Sequence, residues 1–239
     1  MCIRDRKTDD KFLEGRSLGR IGGAFIANLD TMNEGRRLLE ESSRICREIG
    51  DKVTEANNLG LLGWYYNWKG EFNKAKDYLN GALILAEEME ATPMILSILF
   101  MLTIVLAGEG EYNEAISAGE RCLQLARDYG ITSEASWVLN TLGWIYHDLS
   151  NIELAIKYNE ESIKAAKAQE KSIALGGVPH ALANLGMDYL YKKDYEHAEK
   201  YFEEASSLMH QHPSAWWRME ARILLGRGEI SLAKGNYAQ

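Results

Sequence analysis

Covalent stapling has almost nothing to work with in this chain. Only three cysteines, Cys2, Cys46 and Cys122, occur in 239 residues. An odd and sparse set excludes a disulfide framework and implies a reducing compartment. Cys122 falls in helical phase with core alanines and reads as a small hydrophobe. Basic charge is also short: 27 Lys and Arg stand against 35 Asp and Glu, for a net charge of −8. That balance excludes a phosphate-tracking surface, so no direct nucleic-acid partner is expected. No apolar run approaches the length needed to span a bilayer; the most apolar stretch, Met94 to Ala107, is short. A secretory signal is lacking as well. The expectations are no membrane partner and a cytoplasmic location. Period-two alternation, the mark of strands, is missing too.

What is present is a pattern that returns. Leu59-x-x-Leu62-Gly63-x-x-Tyr66 recurs as Leu139-x-x-Leu142-Gly143-x-x-Tyr146 and as Leu182-x-x-Leu185-Gly186-x-x-Tyr189. Twelve residues after each glycine stands Ala75, Ala155 or Ala198. Aligned on Gly35, Ala75, Ala115, Ala155 and Ala198, the units are spaced by 40, 40, 40 and 43 residues. The small partner twelve residues upstream is Gly23, Gly63, Thr103, Gly143 or Gly186. A fixed period of this size means stacked supersecondary units. Within a unit the apolar residues recur at three and four, as helices require. Small residues at both sites let the two helices approach closely where they cross.

Each unit carries a turn between its helices: Lys69-Gly70-Glu71-Phe72, Glu109-Gly110-Glu111-Tyr112, Leu149-Ser150-Asn151-Ile152 and Lys192-Lys193-Asp194-Tyr195. The three prolines, Pro93, Pro179 and Pro213, all fall between units, where a helix breaker does no harm. A longer loop is expected around Leu175-Gly176-Gly177-Val178-Pro179. The predicted units are 16–52, 53–92, 93–132, 133–175, 176–217 and a truncated 218–239. Residues 1–15 read as a non-native or disordered leader. Within it, Met1-Cys2-Ile3-Arg4-Asp5-Arg6 fits no helical pattern and reads as a translated sequencing-adapter scar of metagenomic origin. Lys234-Gly235-Asn236-Tyr237 repeats the turn of a unit and then stops, so the chain reads as a fragment of a longer protein.

These residues resemble the tetratricopeptide repeat, whose signature is W-x2-L-G-x2-Y followed by A-x3-F. The chain keeps Leu-Gly-x-x-Tyr and the later alanine. It carries leucine (Leu59, Leu99, Leu139, Leu182) where that signature has tryptophan, and its period is longer. The long form is similar to the helical-repeat regions of large bacterial signalling proteins. The resemblance implies an all-α, right-handed solenoid of stacked helix-turn-helix repeats. The structural repeat positions are then Leu62, Gly63, Tyr66, Ala75, Thr103, Ala115, Leu142, Gly143, Tyr146, Ala155, Leu185, Gly186, Tyr189 and Ala198.

The resemblance also implies that first helices line a concave groove in which a partner lies. Carried over by phase, the groove holds Asn57, Trp64, Asn67 and Trp68, then Phe100 and Ile104. Trp137, Asn140, Trp144 and His147 follow, and His180, Met187 and Tyr191 complete it. Aromatic anchors with sparse polar groups suit capture of a peptide or helix; Trp64 and Trp144 equally suit half-buried packing between units. The lysines of a carboxylate clamp do not occur at the groove phases. The expected function is a non-catalytic scaffold, without cofactor or metal, that holds a protein, a peptide or another domain of its parent. The alternative is an effector-sensing or oligomerisation region of a multidomain bacterial signal-transduction or transcription regulator. Self-association through the truncated last repeat is a further expectation.

Other candidate chemistry is thin. His210-Gln211-His212 offers two imidazoles where a metal needs three or four ligands. Gly226-Arg227-Gly228 and Gly176-Gly177 lack the strand and third glycine of a dinucleotide fingerprint. His147-Asp148 reads as a solvated helix end, because neighbours on a helix point apart. Glu160-Glu161 and Glu203-Glu204 read as outer-face charges, and Trp216-Trp217 opens the last helix pair.

Overall fold

The alternation of long apolar-periodic segments with three-residue turns builds helical hairpins and nothing else among the described residues. In a computed structural model, which describes residues 3–131, 134–168, 177–210 and 217–235, eleven helices follow in order. They are α1 (Ile3–Ile26), α2 (Met32–Ile49), α3 (Lys52–Trp68), α4 (Phe72–Glu88), α5 (Thr92–Glu109) and α6 (Tyr112–Asp128). Then come α7 (Ala135–Asp148), α8 (Ile152–Lys167), α9 (Val178–Tyr191), α10 (Tyr195–His210) and α11 (Trp217–Ala233). The readings made on Cys2, Leu175-Gly176, Gln211 to Trp216 and residues 236–239 lie outside the described residues. So do those on the side chains of His210 and Trp217.

The chain forms two compact units, Met1–Ala118 and Gly119–Gln239, divided within α6. In the first, α1 pairs with α2 and α3 with α4, and α5 packs on α4 and α3. In the second, α7 pairs with α8 and α9 with α10, and α11 packs on α9 and α10. The repeated residues hold these pairs together. Leu62, Leu142 and Leu185 are buried, as are Ala75, Ala115, Ala155, Ala198 and Thr103. Each buried leucine contributes about 1.5–3 kcal/mol. The repeated tyrosine stacks on a second tyrosine of the following helix: Tyr66 on Tyr78, Tyr146 on Tyr158 and Tyr189 on Tyr201. Burial raises the pKa of the second ring in every case.

The turns close alike. Glu71, Glu111, Asn151 and Asp194 each donate a backbone N–H to the carbonyl five residues back, at 2.8–2.9 Å, the six-to-one bond of a Schellman ending. The residue before each takes a left-handed backbone: Gly70 at φ 72°, Gly110 at 91°, Ser150 at 58° and Lys193 at 61°. Asp51 and Asn151 cap α3 and α8 by accepting from the backbone N–H of Thr54 and Leu154. Pro93 and Pro179 sit in the first turns of α5 and α9, where a missing N–H breaks no helical bond.

Three expectations are corrected. Residues 3–15 are not separate from the array. They belong to α1; a Cβ on Gly15 would meet Cys46 Sγ at 3.1 Å, and Lys11 pairs with Glu48 at 2.9 Å. In the first hairpin the close approach is made by Gly22 rather than Gly23. A Cβ on Gly22 would lie 2.9 Å from Leu39, whereas Gly23 faces Leu61 of α3. The connection 27–31 is longer than the later turns, which shifts the register by one. Finally, α5 is long and apolar enough to cross a membrane by length and composition, with mean hydropathy 1.9 over 18 residues. Here it packs as a repeat helix, burying Leu96, Leu99, Leu102 and Val105.

Candidate functional site

The two units treat their first helices differently, and each is taken by itself. In the first unit, Trp64 and Trp68 are half-buried, edge to face at 6.1 Å, and pack against the core of α3, α4 and α5. Asn67, Phe100 and Ile104 are also half-buried. Asn57 is exposed and lines an apolar cleft of about 600 Å³ between α3 and α5, with Gly60, Leu61, Met94, Ile98 and Met101. None of the two tryptophans, Phe100 or Ile104 lines that cleft.

In the second unit the first helices carry a polar network. Asp188 on α9 has no solvent exposure. Its Oδ1 lies 2.6 Å from His147 Nδ1 on α7, so a single proton is held between them. Its Oδ2 accepts from Asn159 Nδ2 on α8 at 3.0 Å. Asn159 Oδ1 in turn accepts from Asn140 at 3.3 Å and from Asn184 at 3.4 Å. Asn184 Oδ1 accepts from Arg222 Nη1 on α11. Four helices are thus joined through one chain of hydrogen bonds. Burial pushes the Asp188 carboxyl above its ordinary range, opposed by the bonds from His147 and Asn159. Arg222 is exposed as a residue, but its guanidinium end sits at Asn184. Desolvation there lowers its pKa, against the pull of Asp148 and Asp188.

A cavity of about 150 Å³ opens beside this network, lined by Trp144, His147, Asp148, Asn184, Met187 and Arg222. A shallower one of about 250 Å³ shares His147 and Met187 and adds Tyr191, Tyr195 and Glu229. Tyr191 is exposed and meets the His147 ring edge-on at 6.0 Å. Trp137 and His180 meet at 5.2 Å; burial pushes the His180 imidazole down to about 4.

Of the expected groove residues, Trp144, His147 and Met187 therefore come together at one cavity, and Tyr191 joins them at the next. Asn140 departs from its expected role: it is buried and holds Asn159, so it offers no free surface amide. His147 departs from the solvated-end reading, because its partner is Asp188, 41 residues on, and not Asp148. Asp188, Asn159, Asn184 and Arg222 escaped the sequence reading. A signal for two of them was present. Asn159 stands four residues after its alanine, where Leu79 and Phe202 stand after theirs and Leu39 after Gly35. Asp188 stands two after its glycine, where Tyr65 and Ile145 follow theirs. Both are polar residues in slots that other units fill with large side chains. The described residues hold no group of three or more His, Cys, Asp or Glu arranged for a metal.

Family comparison matches residues 95–168 and residues 179–212 to the tetratricopeptide repeat. No curated protein matches the chain. Among solved structures, aspartyl phosphate phosphatase F from Bacillus subtilis superposes over 97% of this chain at 15% identity and TM-score 0.77. BtubC (BKLC) from P. vanneervenii does so over 90% at 17% identity and TM-score 0.64. A third is the Signal Transduction ATPase with Numerous Domains protein with a tetratricopeptide repeat sensor from Pyrococcus horikoshii. It superposes over 95% at 18% identity and TM-score 0.70. The chain spans 95% of BtubC, 61% of the phosphatase and 34% of the ATPase. At these identities the likeness is one of fold.

Proposed function

Because this chain is a helical-repeat protein of the tetratricopeptide kind, we propose that it is a non-catalytic scaffold that holds a partner protein segment on its first-helix faces. The observation that carries this is the character of those faces. In the second unit Trp144, Tyr191 and Tyr195 line cavities beside polar groups, while the residues that repeat are consumed in packing the hairpins. Rigid aromatic anchors around a small polar group are what peptide capture uses. The buried-carboxylate pair, His147 with Asp188, faces a cavity whose lining supplies no hydroxyl or thiol nucleophile. The partner is a protein or peptide, or a domain of the same parent; a cytoplasmic setting accords with the buried, reduced thiols of Cys46 and Cys122.

Partner capture from a lysate of the source cells by the full chain tests this, with Trp68→Ala and Trp137→Ala as variants. Loss of capture with an unchanged helical signal is expected; capture unaffected by both substitutions overturns the groove assignment. A second reading, an effector-sensing region of a larger regulator, draws on the repeat sensor in the Pyrococcus horikoshii protein and on the polar cavity of the second unit. Binding of a small molecule without any protein partner distinguishes it.

A further inference from the structure

We propose that the hydrogen-bond chain from Arg222 to Asp188 is a proton-operated latch, which holds α11 on α9 and lets it go when Asp188 gains a proton. It is independent of what the scaffold binds. The chain has a direction. Arg222 Nη1 donates to Asn184 Oδ1, Asn184 Nδ2 donates to Asn159 Oδ1, and Asn159 Nδ2 donates to Asp188 Oδ2. Asn140 Nδ2 donates to the same Asn159 oxygen. The two ends set this direction, because a guanidinium only donates and a carboxylate only accepts. Every amide between them is oriented as a result. His147 Nδ1, 2.6 Å from Asp188 Oδ1, serves the other carboxylate oxygen. A proton taken up at His147 Nε2 leaves that bond as it is. A proton on Asp188 Oδ2 has no place, because it faces the Asn159 N–H. Asn159 can turn its oxygen to accept it, but its NH₂ then faces the donors of Asn140 and Asn184. If those turn as well, the Asn184 NH₂ meets a guanidinium that has no acceptor to offer. The mismatch is relieved where the chain ends, by Arg222 leaving Asn184.

The packing puts that release at α11. This helix packs on α9 and α10, and its outward Leu224, Leu225 and Leu232 are exposed. The oxygens of Asp188 face α7 and α8, so the carboxyl stays buried when α11 moves. Release takes the guanidinium away from Asp188 and frees the amides to reverse. Both changes raise the proton affinity of Asp188, so the proton and docked α11 oppose one another by linkage. Docking is therefore favoured above the Asp188 pKa and lost as pH falls through it. Burial pushes that carboxyl above its ordinary range, against the bonds from His147 and Asn159, which brings the latch toward mildly acid solution. Other titratable and charged groups face the same region. His147 and Asp148 come from α7, Tyr191 from α9, Lys193 from the turn after it, Tyr195 from α10, and Arg222 and Glu229 from α11. Glu160 of α8 bears on Tyr189, and His180 of α9 feels Arg222. Glu199 of α10 pairs with Arg227 of α11 at 2.9 Å, a surface pair of small worth. Protonation of Asp148 or Glu199 would also loosen α11, so each supplies a control.

Amide hydrogen exchange of the full chain, compared at equal intrinsic rate, tests the latch between about pH 7.5 and about pH 4.5. On acidification, protection of α11 is expected to fall at least about tenfold more than that of α8. Asp188→Asn presents an NH₂ where the carboxylate accepts, so it should loosen α11 already at the upper pH and remove the pH response. Arg222→Gln gives the chain an end that can accept, so α11 should stay docked in acid. Arg222 is exposed as a residue, so this variant decides the matter even where Asp188→Asn does not fold. The two substitutions together reverse the chain from end to end. The double variant should therefore recover the α11 protection lost in Asp188→Asn, a rescue that a role in packing alone does not produce. Asp148→Asn and Glu199→Gln should both keep the parent's response. Equal loss of protection in α11 and α8, a parent-like response in Arg222→Gln, or a double variant no better than Asp188→Asn overturns the latch.

Discussion

Removing the His147 ring should destabilise the second unit in a pH-dependent way. Asp188 is fully buried, and its two oxygens are held by His147 at 2.6 Å and Asn159 at 3.0 Å. His147→Ala leaves the Asn159 bond and deletes the other. Removing one partner of a buried pair costs about 3–5 kcal/mol, most of it from the charge left behind. The surviving amide bond, worth about 1 kcal/mol, places the expected loss near the low end of that range at neutral pH. The carboxyl can escape this penalty by taking up a proton. Its folded pKa already lies above the ordinary value because of burial, and losing His147 raises it further. The folded state therefore holds this proton more tightly than the unfolded chain. The resulting stability is fully present below the unfolded pKa and is lost as pH rises through the folded one, at up to about 1.4 kcal/mol for each pH unit between the two. The difference in stability between His147→Ala and the parent should accordingly shrink as pH falls. Urea unfolding followed by far-ultraviolet circular dichroism, between about pH 5 and pH 8, measures it. A deficit that is constant across that range, or absent at its upper end, refutes the assignment of Asp188 as the group concerned.

Ser150→Gly and Lys193→Gly should each stabilise by about 0.5–1 kcal/mol. Each relieves a left-handed backbone at φ 58° or 61°, and the gain exceeds the entropy that glycine adds to the unfolded chain; a lowered thermal midpoint in either contradicts this. Gly186→Ala and Gly60→Ala should move stability in opposite directions. A Cβ on Gly186 strikes the Phe202 ring and one on Gly60 meets open space, so overpacking of about 1–3 kcal/mol opposes a helix gain of about 1 kcal/mol in the first case only. Chemical denaturation of the two variants, with equal signs observed, would remove the packing argument. Cys122, buried and with its thiol pushed up to about 12 by desolvation, should react with a thiol-specific dye only as fast as the chain unfolds; rapid labelling of the native chain contradicts its placement.

The hairpins were legible because their determinants are local and recur. Glycine over leucine, alanine at the crossing and a turn every 40 residues are visible in one dimension. The Gly22 register was misread because it depends on the connection 27–31, which is longer than the later turns and leaves Gly22 rather than Gly23 facing Leu39. The first residues of α1 were misread because that helix has a weak amphipathic pattern, and its anchoring comes from Gly15, Gly19 and Gly22 fitting against α2 and α3. The tryptophans were placed on the right helices. Whether a ring lies in a groove or wedges between helices depends on helix rotation, which residue spacing does not resolve. The polar network was invisible to a motif search because its members come from four helices up to 82 residues apart, Asn140 to Arg222. It was detectable only as an exception, through Asn159 and Asp188 breaking the apolar pattern of their slots.

Those exceptions can be reversed with side chains the chain already uses. At the slots of Asn140, Asn159, Asn184 and Asp188, other units carry Ala183, Leu79, Leu61 and Ile145. The combined variant Asn140→Ala, Asn159→Leu, Asn184→Leu, Asp188→Ile removes every buried member of the network together, and the two members it leaves without these partners, His147 and Arg222, are half-buried and exposed as residues. Gly143, whose Cβ position lies 2.5 Å from Asn159 Oδ1, would then face a leucine as Gly63 faces Leu79. Replacing a buried ionic network with apolar side chains of similar volume is commonly neutral or stabilising by about 1–4 kcal/mol. The same change releases Arg222 from the amide that holds it at the cavity. The expected phenotype is thus a chain at least as stable as the parent in urea unfolding. A less stable chain would mean that the network serves stability in its own right.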